Sequence, residues 1–290
     1  ALGTTGSSGP GIALKAEAMG LAVAAELPLI VVNVQRAGPS TGLPTKAEQS
    51  DLLMAMYGRH GEAPCAILAP ATPAECFQVM IDAAEIALKY MTPVIVLADG
   101  YIANAAEPWK IPDVDSLPDL SPNFRTDPEG FHPFQRDEKT LARAWAIPGT
   151  PGLQHRIGGI ERGANDGHIS YEPENHQDMT NFRAEKIARI ADDRPAITPD
   201  RGNTSGKLGI VGWGSTFGAI NGAVNELIKA GEDVAHIHVR QMSPLPNGFE
   251  DLLRSYDQIL VPEMNMGQLV KLVRAEYLID AKGLNQVTGK

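Results

Sequence analysis

Residues 29–51 read LIVVNVQRAGPSTGLPTKAEQSD. Leu29 to Val32 is a short, wholly apolar run after Pro28, the pattern of a strand buried on both faces. From Asn33 to Asp51 the chain becomes a polar loop bent by Gly38, Pro39, Gly42 and Pro44, and helix signals resume over Lys46 to Tyr57. A strand, a polar loop and a helix in that order are one repeat of an α/β domain with a largely parallel sheet. In such sheets ligands bind outside the carboxyl ends of the strands, where this loop lies. Its one central cation, Arg36, sits among Ser40, Thr41 and Thr45. A guanidinium holds a carboxylate by two parallel charge-assisted hydrogen bonds, and a Gly-bearing loop adds amide donors. The competing reading is a turn-rich surface loop with a solvated arginine.

The same alternation extends in both directions. Upstream, Thr4 to Gly11 reads as a flexible loop leading into a helix over Ile12 to Ala25, with Leu14, Ala18, Leu21 and Ala25 at helical spacing. The sequence GSSGPG at this loop matches neither a P-loop nor GxGxxG, so it reads equally as a Ser-capped helix start or as an anion or ring contact. Downstream come a strand over Ala66 to Ala69 and a helix over Ala74 to Tyr90, with Thr72-Pro73 at its start. A strand over Pro93 to Ala98 then ends in Asp99-Gly100 at a second carboxyl edge. His60 reads as a solvated or core-edge group. These elements define a first α/β domain over residues 1–106.

Between residues 107 and 206 prolines multiply and periodicity fades, the texture of a functional or connecting segment. His168, His176 and Asp178 could be drawn together as a metal set, but their spacing fits no ligand pattern with a mechanical reason behind it. Asn181 to Arg194 reads as an exposed helix with Glu185 and Arg189 four apart. Alternation returns over residues 207–290, with strands at Leu208 to Val211, Val234 to Val239 and Gln258 to Val261. Helices are expected over Phe217 to Ala230, Phe249 to Tyr256 and Leu269 to Leu278. Glu263 and Asn265, at a strand end, serve either a site or a helix-capping loop.

Composition bounds the function. In 290 residues, 43% are hydrophobic, which suits globular domains with ordinary cores and excludes disorder over the whole chain. A formal charge of -10 without clustered Lys and Arg argues against nucleic acid. Cys65 and Cys76 form neither a CxxC pair nor a disulfide framework, and two cysteines cannot by themselves ligate an iron–sulfur cluster. No apolar run approaches the roughly 20 residues of a membrane helix, so a cytoplasmic setting is expected. The opening at Ala1 without methionine, and the stop after Lys290 without a closing element, lead to the expectation of a chain continuing beyond both ends.

Five segments taken in order, TTGSSGPGIALKAEAMGLA (4–22), NVQRAGPSTGLPT (33–45), GIERGANDGHISYEPENH (159–176), VGWGST (211–216) and VPEMNMGQL (261–269), resemble the alpha subunit of bacterial 2-oxoacid:ferredoxin oxidoreductases, specifically the 2-oxoglutarate enzymes. The resemblance implies a thiamine-diphosphate-binding, pyrimidine-type domain that is incomplete at its start, followed by a transketolase C-terminal-like α/β domain. It implies thiamine diphosphate- and coenzyme A-dependent oxidative decarboxylation of a 2-oxoacid, with electrons passed to ferredoxin. The diphosphate, magnesium and iron–sulfur cluster would sit in a beta subunit. Carried over by position, Arg36 grips the substrate carboxylate and Thr45 assists, with Thr41 a candidate by proximity. Thr5, Ser7, Ser8 and Gly9 would lie against the thiamine pyrimidine. The family's Tyr-Pro-Ile-Thr-Pro motif and its glutamate for the pyrimidine nitrogen are expected upstream of Ala1, so no catalytic residue is assigned here. Glu17, Glu26 and Glu48 do not occupy that glutamate's position. Pyruvate or branched-chain 2-oxoacids remain alternative substrates, and a non-catalytic structural module is the reading from another class.

Overall fold

The computed structural model describes residues 2–289. Its first sheet joins β1 (Gly3–Ser7), β2 (Leu29–Gln35), β4 (Pro93–Asp99) and β3 (Ala66–Leu68), all parallel, in the order β1-β2-β4-β3. β7 (Gln241–Ser243) closes the far edge antiparallel to β3. The second sheet is wholly parallel, in the order β6 (Val234–Val239), β5 (Gly206–Trp213), β8 (Tyr256–Glu263), β9 (Lys282–Asn285). The expected α/β architecture is therefore present. Every residue of β4 is buried, as expected of a central strand covered on both faces.

Two layers of apolar packing explain the arrangement. On one face of the first sheet, Ile30, Val94 and Val96 meet Val79, Ala83 and Ala87 of α4 (Glu75–Tyr90) and Ile187 of α6 (Pro173–Arg189). On the other face, Ile67, Ile95 and Leu97 share a core with Val211, Trp213, Ile237 and Val261 of the second sheet. That core also takes in Leu52 of α3 (Leu52–Tyr57), Leu253 of α8 (Phe249–Arg254) and Leu269 of α9 (Gln268–Tyr277). Thus β7, contributed from within the second half of the chain, completes the first sheet, and the two sheets bury a common interior.

Several local expectations are corrected. Thr4 to Ser7 is not a flexible loop: it belongs to β1, paired in parallel with β2 from Gly3↔Leu29 to Ser7↔Asn33. Long-range pairing overrides the weak strand propensity of GTTGS. The helix expected over Ile12 to Ala25 is two helices, α1 (Gly9–Ala13) and α2 (Ala16–Ala24), interrupted at Leu14-Lys15. The helix signal from Lys46 materialises only from Leu52, because the backbone of Gln49 and Ser50 is bonded to the segment after β8 and that of Asp51 to Gln35. α6 starts at Pro173 rather than Asn181 and ends at Arg189, and it is not simply exposed, since Met179, Lys186 and Ile187 are buried. Pro at its first turn suits a helix start. The Asn175 side chain bridges Arg162 O and Ala164 N at 2.9 Å each, tying that first turn to the preceding loop.

Lys186 enters a buried charge cluster. Glu26, at the end of α2, receives Arg136 Nη2 at 2.6 Å and Lys186 Nζ. Arg143 Nε donates to Ala25 O at 3.1 Å. Burial pushes the Glu26 carboxyl up, but Lys186 and Arg136 more than reverse it, leaving it below the usual carboxylate range. Burial, with Arg136 and Arg143 adding to it, lowers the Lys186 ammonium to about 8, although Glu26 opposes the change. A lysine with a lowered folded-state pKa is charged at a cost below about 8 and loses its proton more readily folded than unfolded above it. Its contribution to stability therefore improves as pH rises from about 8 toward 10.5. Urea unfolding from pH 7.5 to 9.5 should show wild type gaining stability relative to Lys186→Met across this window.

One buried glutamine ties the loop after β2 to the strand ends of the second sheet. Gln49 is fully buried; its Nε2 donates to Trp213 O at 2.7 Å, its Oε1 accepts Met264 N at 3.3 Å, and its backbone N donates to Met264 O at 3.1 Å. Gln49→Ala keeps the backbone bond but strands a buried carbonyl and amide, at a cost of about 2 kcal/mol. The expected result is a lower urea midpoint with an unchanged denaturant slope.

Candidate active site

The carboxyl ends of β1, β2 and β4 lie side by side, with Ser7 opposite Asn33 and Gln35 opposite Asp99. Asn33 and Gln35 are two apart on β2 and both are buried. Gln35 Nε2 donates to Ala98 O at 3.0 Å and Gln35 Oε1 accepts Asp51 N at 3.0 Å. Asn33 Nδ2 donates to Asp51 Oδ2 at 3.0 Å, whereas Asn33 Oδ1 is buried without a partner. Burial raises the Asp51 carboxyl, opposed by the Asn33 bond and reinforced by the charge of Glu48. Asp51 also lies against the turn between β1 and α1: a Cβ on Gly9 would stand 2.6 Å from Asp51 Oδ2. The turn carrying Ser7, Ser8 and Gly9 is thereby seated beside the root of the Arg36 loop.

Arg36 follows β2 directly and is half-buried. Its Nε is buried with no hydrogen-bond partner among the described residues. The loop returns on itself through Ala37 N to Lys46 O at 3.0 Å and Leu43 N to Ala37 O at 3.0 Å. The first of these bonds closes the root of the loop, with Arg36 on the strand side of it and Thr45 on the loop side. Thr41 lies at the exposed distal part of the loop, and Thr45 is also exposed. Gly42 has φ +51°, and a Cβ there would stand 2.0 Å from Ala37 O. Only a residue without Cβ permits the return. Gly42→Ala adds a left-handed backbone penalty of about 1–2 kcal/mol to this clash. It should open the loop, seen as faster amide exchange at Ala37 and Leu43 with little change elsewhere.

The neighbouring strand ends are equally well tied. Asp99 Oδ1 accepts Tyr101 N at 2.8 Å and Ile102 N at 3.1 Å, capping α5 (Gly100–Asn104), and Oδ2 accepts the Ser215 hydroxyl. Burial pushes the Asp99 carboxyl up against these bonds. Glu263 accepts Trp213 Nε1 at 3.2 Å and the Leu269 and Val270 amides at 2.8 and 3.2 Å. Asn265 Oδ1 accepts Gly267 and Gln268 amides at 2.7 and 2.8 Å, and its Nδ2 donates to Gln49 O at 2.8 Å. Glu263 and Asn265 therefore cap α9 and join the sheets. Ser8 occupies the N-cap position of α1 but makes no side-chain cap bond. Thr5 lies mid-strand in β1, half-buried.

The other sequence candidates fall elsewhere. His168 pairs with Asp166 at 3.1 Å and His176 with Glu161 at 2.7 Å. Among the described residues no group of three or more His, Cys, Asp or Glu is placed to hold a metal, so His168, His176 and Asp178 do not assemble. His60 and Glu17 are exposed. Asn33, Gln49 and Asp51 were not singled out by sequence reasoning; a polar residue alternating within an apolar strand, as Asn33 does, was the available signal.

A parallel sheet with an arginine-bearing loop and a seated glycine turn at its carboxyl edge defines a ligand-binding α/β protein. The family model described as "Pyruvate flavodoxin/ferredoxin oxidoreductase, thiamine diP-bdg" matches residues 1–179, and the chain belongs to this family. It is 50% identical over 289 residues to 2-oxoglutarate oxidoreductase subunit KorA of Mycobacterium tuberculosis, covering 100% of this chain and 44% of that protein. It is 30% identical to 2-oxoglutarate synthase subunit KorA of Archaeoglobus fulgidus, covering 98% of this chain and 74% of that one. Among solved structures, the 2-oxoglutarate:ferredoxin oxidoreductase of Magnetococcus marinus, with 2-oxoglutarate, coenzyme A and succinyl-CoA bound, matches with TM-score 0.92 and 34% identity, over 99% of this chain and 50% of that chain. This chain thus spans about half or less of the Mycobacterium and Magnetococcus proteins. Among the described residues no helix is long and apolar enough to cross a membrane.

Proposed function

We propose that this chain contributes the 2-oxoacid-binding edge of a 2-oxoglutarate:ferredoxin oxidoreductase alpha subunit. The observation that carries the reading is Arg36: a cation at the carboxyl edge of the parallel sheet, with a desolvated, unpartnered Nε. The similarity to the subunits named above supports 2-oxoglutarate as the acid, with succinyl-CoA as product. In this reading Arg36 holds the carboxylate of the substrate and Thr45, beside the loop root, adds its hydroxyl. Thr41, farther out, would close over the substrate from the loop tip.

The residues present fit one side of thiamine diphosphate. The Ser7–Gly9 turn, seated by Asp51, presents bare backbone, and Asn33 offers a buried acceptor that lacks a donor. Thr5, Ser7, Ser8 and Gly9 would line the pyrimidine side. When bound, thiamine diphosphate supplies the carbon nucleophile and electron sink for decarboxylation. The contribution of this chain is to orient the acid and keep its carboxylate desolvated against Arg36. A beta subunit would hold the diphosphate, magnesium and an iron–sulfur cluster, with ferredoxin as electron acceptor and coenzyme A as cosubstrate, in the cytoplasm. The division into residues 1–106, 107–206 and 207–290, the last of transketolase C-terminal-like type, belongs to this proposal.

Loss of a charge-assisted contact of this kind costs on the order of 1.5–3 kcal/mol, so Arg36→Ala should raise the KM for 2-oxoglutarate about tenfold or more. The measurement is viologen reduction by the complete complex, with pyruvate and a branched-chain 2-oxoacid as competitors. Wild-type kinetics in the variant would remove Arg36 from the substrate site. Preference for a competitor would keep the site and change the acid.

A further inference from the structure

The segment that follows the first α/β unit folds back over the buried charge cluster and forms an open cavity of about 830 Å³. Arg136, Arg143, Phe124 and Trp145 line it. The two rings pack edge to face, with centroids 4.9 Å apart. Arg143 is only 4% exposed; its Nε and Nη1 are used by Ala25 O and Ala144 O, each at 3.1 Å, which leaves Nη2 without a partner among the described residues. The Arg136 side chain is 7% exposed and shares Glu26 with Lys186.

The charges do not balance. Glu26 is the carboxylate that acts on Arg136, Arg143 and Lys186 together, so three cations face one anion in a desolvated setting. Arg136 acts against both of its cationic neighbours: after burial it lowers the Arg143 guanidinium, and together with Arg143 it lowers the Lys186 ammonium. Buried charge of one sign without compensation is costly, and one further negative group beside Arg143 would relieve it. Four carboxylates do line the cavity, Glu85, Asp119, Asp127 and Asp137, but all belong to exposed residues at its rim. Asp137 is occupied by the Lys139 and Thr140 amides at 3.0 and 2.7 Å. Lys89 and Arg125 line the cavity too, but Lys89 is paired with Asp193 at 2.7 Å and Arg125 Nε donates to Asp127 O at 2.6 Å, so the donor left free is on Arg143, which suits a single carboxylate that brings its own apolar body.

We propose that this cavity is a second ligand site, separate from the Arg36 loop, which takes a small aromatic or apolar monocarboxylate, its carboxylate on Arg143 and its body against Trp145 and Phe124. A charge-assisted hydrogen bond from Arg143 Nη2 to the carboxylate, and stacking of a flat ring on Trp145, are the contacts that recognise it.

The test uses the complete assembled protein with benzoate as probe, benzamide as its uncharged counterpart and inorganic phosphate as a bare anion. Calorimetry and quenching of Trp145 fluorescence, referenced to Trp145→Phe, give the affinities. Benzoate should bind saturably, and benzamide and phosphate at least tenfold more weakly. Arg143→Gln should weaken benzoate at least tenfold. Because that change touches a buried cluster, Ala144→Asp, at a half-buried position lining the same cavity, provides a second variant and should abolish binding while the protein stays folded. Arg36→Ala should leave benzoate binding unchanged, which separates this site from the substrate loop. No saturable binding, equal binding of benzamide, or benzoate binding lost in Arg36→Ala and retained in Ala144→Asp would each overturn the proposal.

Discussion

The fold depends on the side-chain amide of Gln49. The ends of parallel strands leave backbone groups without ladder partners, and where two such edges are pressed together water cannot serve them. Gln49 supplies both a donor and an acceptor at that point, to Trp213 O and Met264 N. Around it the same logic repeats: Gln268 Nε2 donates to Ser50 O at 2.6 Å and its Oε1 accepts Leu53 N at 2.9 Å, while Asn265 serves Gln49 O. Apolar packing alone would let the two sheets slide. These polar matches fix one register between them, because a shifted arrangement would bury several unpaired groups at once.

That constraint reaches the candidate site through chain connectivity. Gln49 and Ser50 are held by the end of β5 and the segment after β8, and Asp51 by Gln35 and Asn33, so the path from Gln35 back to Gln49 is anchored at both ends. Gln35 bonds β4 on one side and Asp51 on the other. Arg36 therefore leaves a fixed strand end, and its loop returns to a fixed partner at Lys46. The tip carrying Ser40 and Thr41 is exposed and bonded to little. A rigid root under a free tip suits a loop that must hold one charge in place while admitting a small acid.

Much of the architecture was legible in the sequence, and the failures share a cause. β4, α4, α7 (Phe217–Lys229) and β6 carry strong periodicity or unbroken apolar runs, and their extents match expectation to within a residue or so. β1 and β9 do not: GTTGS and KGLN have small or polar residues, and each is a strand because a neighbour supplies the ladder. β7 is three residues long and pairs with a strand from the other half of the chain, which no local pattern encodes. The Arg36 loop was visible through its composition. Asp51, Asn33 and Gln49 were not, since their roles come from which backbone groups the tertiary fold leaves unpaired. The buried Lys186 was hidden in a helix whose sequence reads as solvated, because its buried counter-charge, Glu26, is remote in sequence.

Two buried polar atoms at the carboxyl edge stand without partners among the described residues. Arg36 Nε is a donor without an acceptor and Asn33 Oδ1 an acceptor without a donor, both buried and both on or next to β2. They do not cancel each other, because Asn33 is turned toward Asp51 and the β1–α1 turn while Arg36 heads the outer loop. Leaving either unpaired costs on the order of 1–3 kcal/mol, a penalty the fold retains at this edge although it satisfies nearly every polar group between the sheets. The proposed function gives each a distinct partner: an acid for the donor, a hydrogen-bonding ring for the acceptor. On that proposal the edge is a preorganised site in which both unpaired groups are satisfied only with substrate and cofactor in place, and the close seating of the glycine turn by Asp51 would keep those two positions in fixed relation.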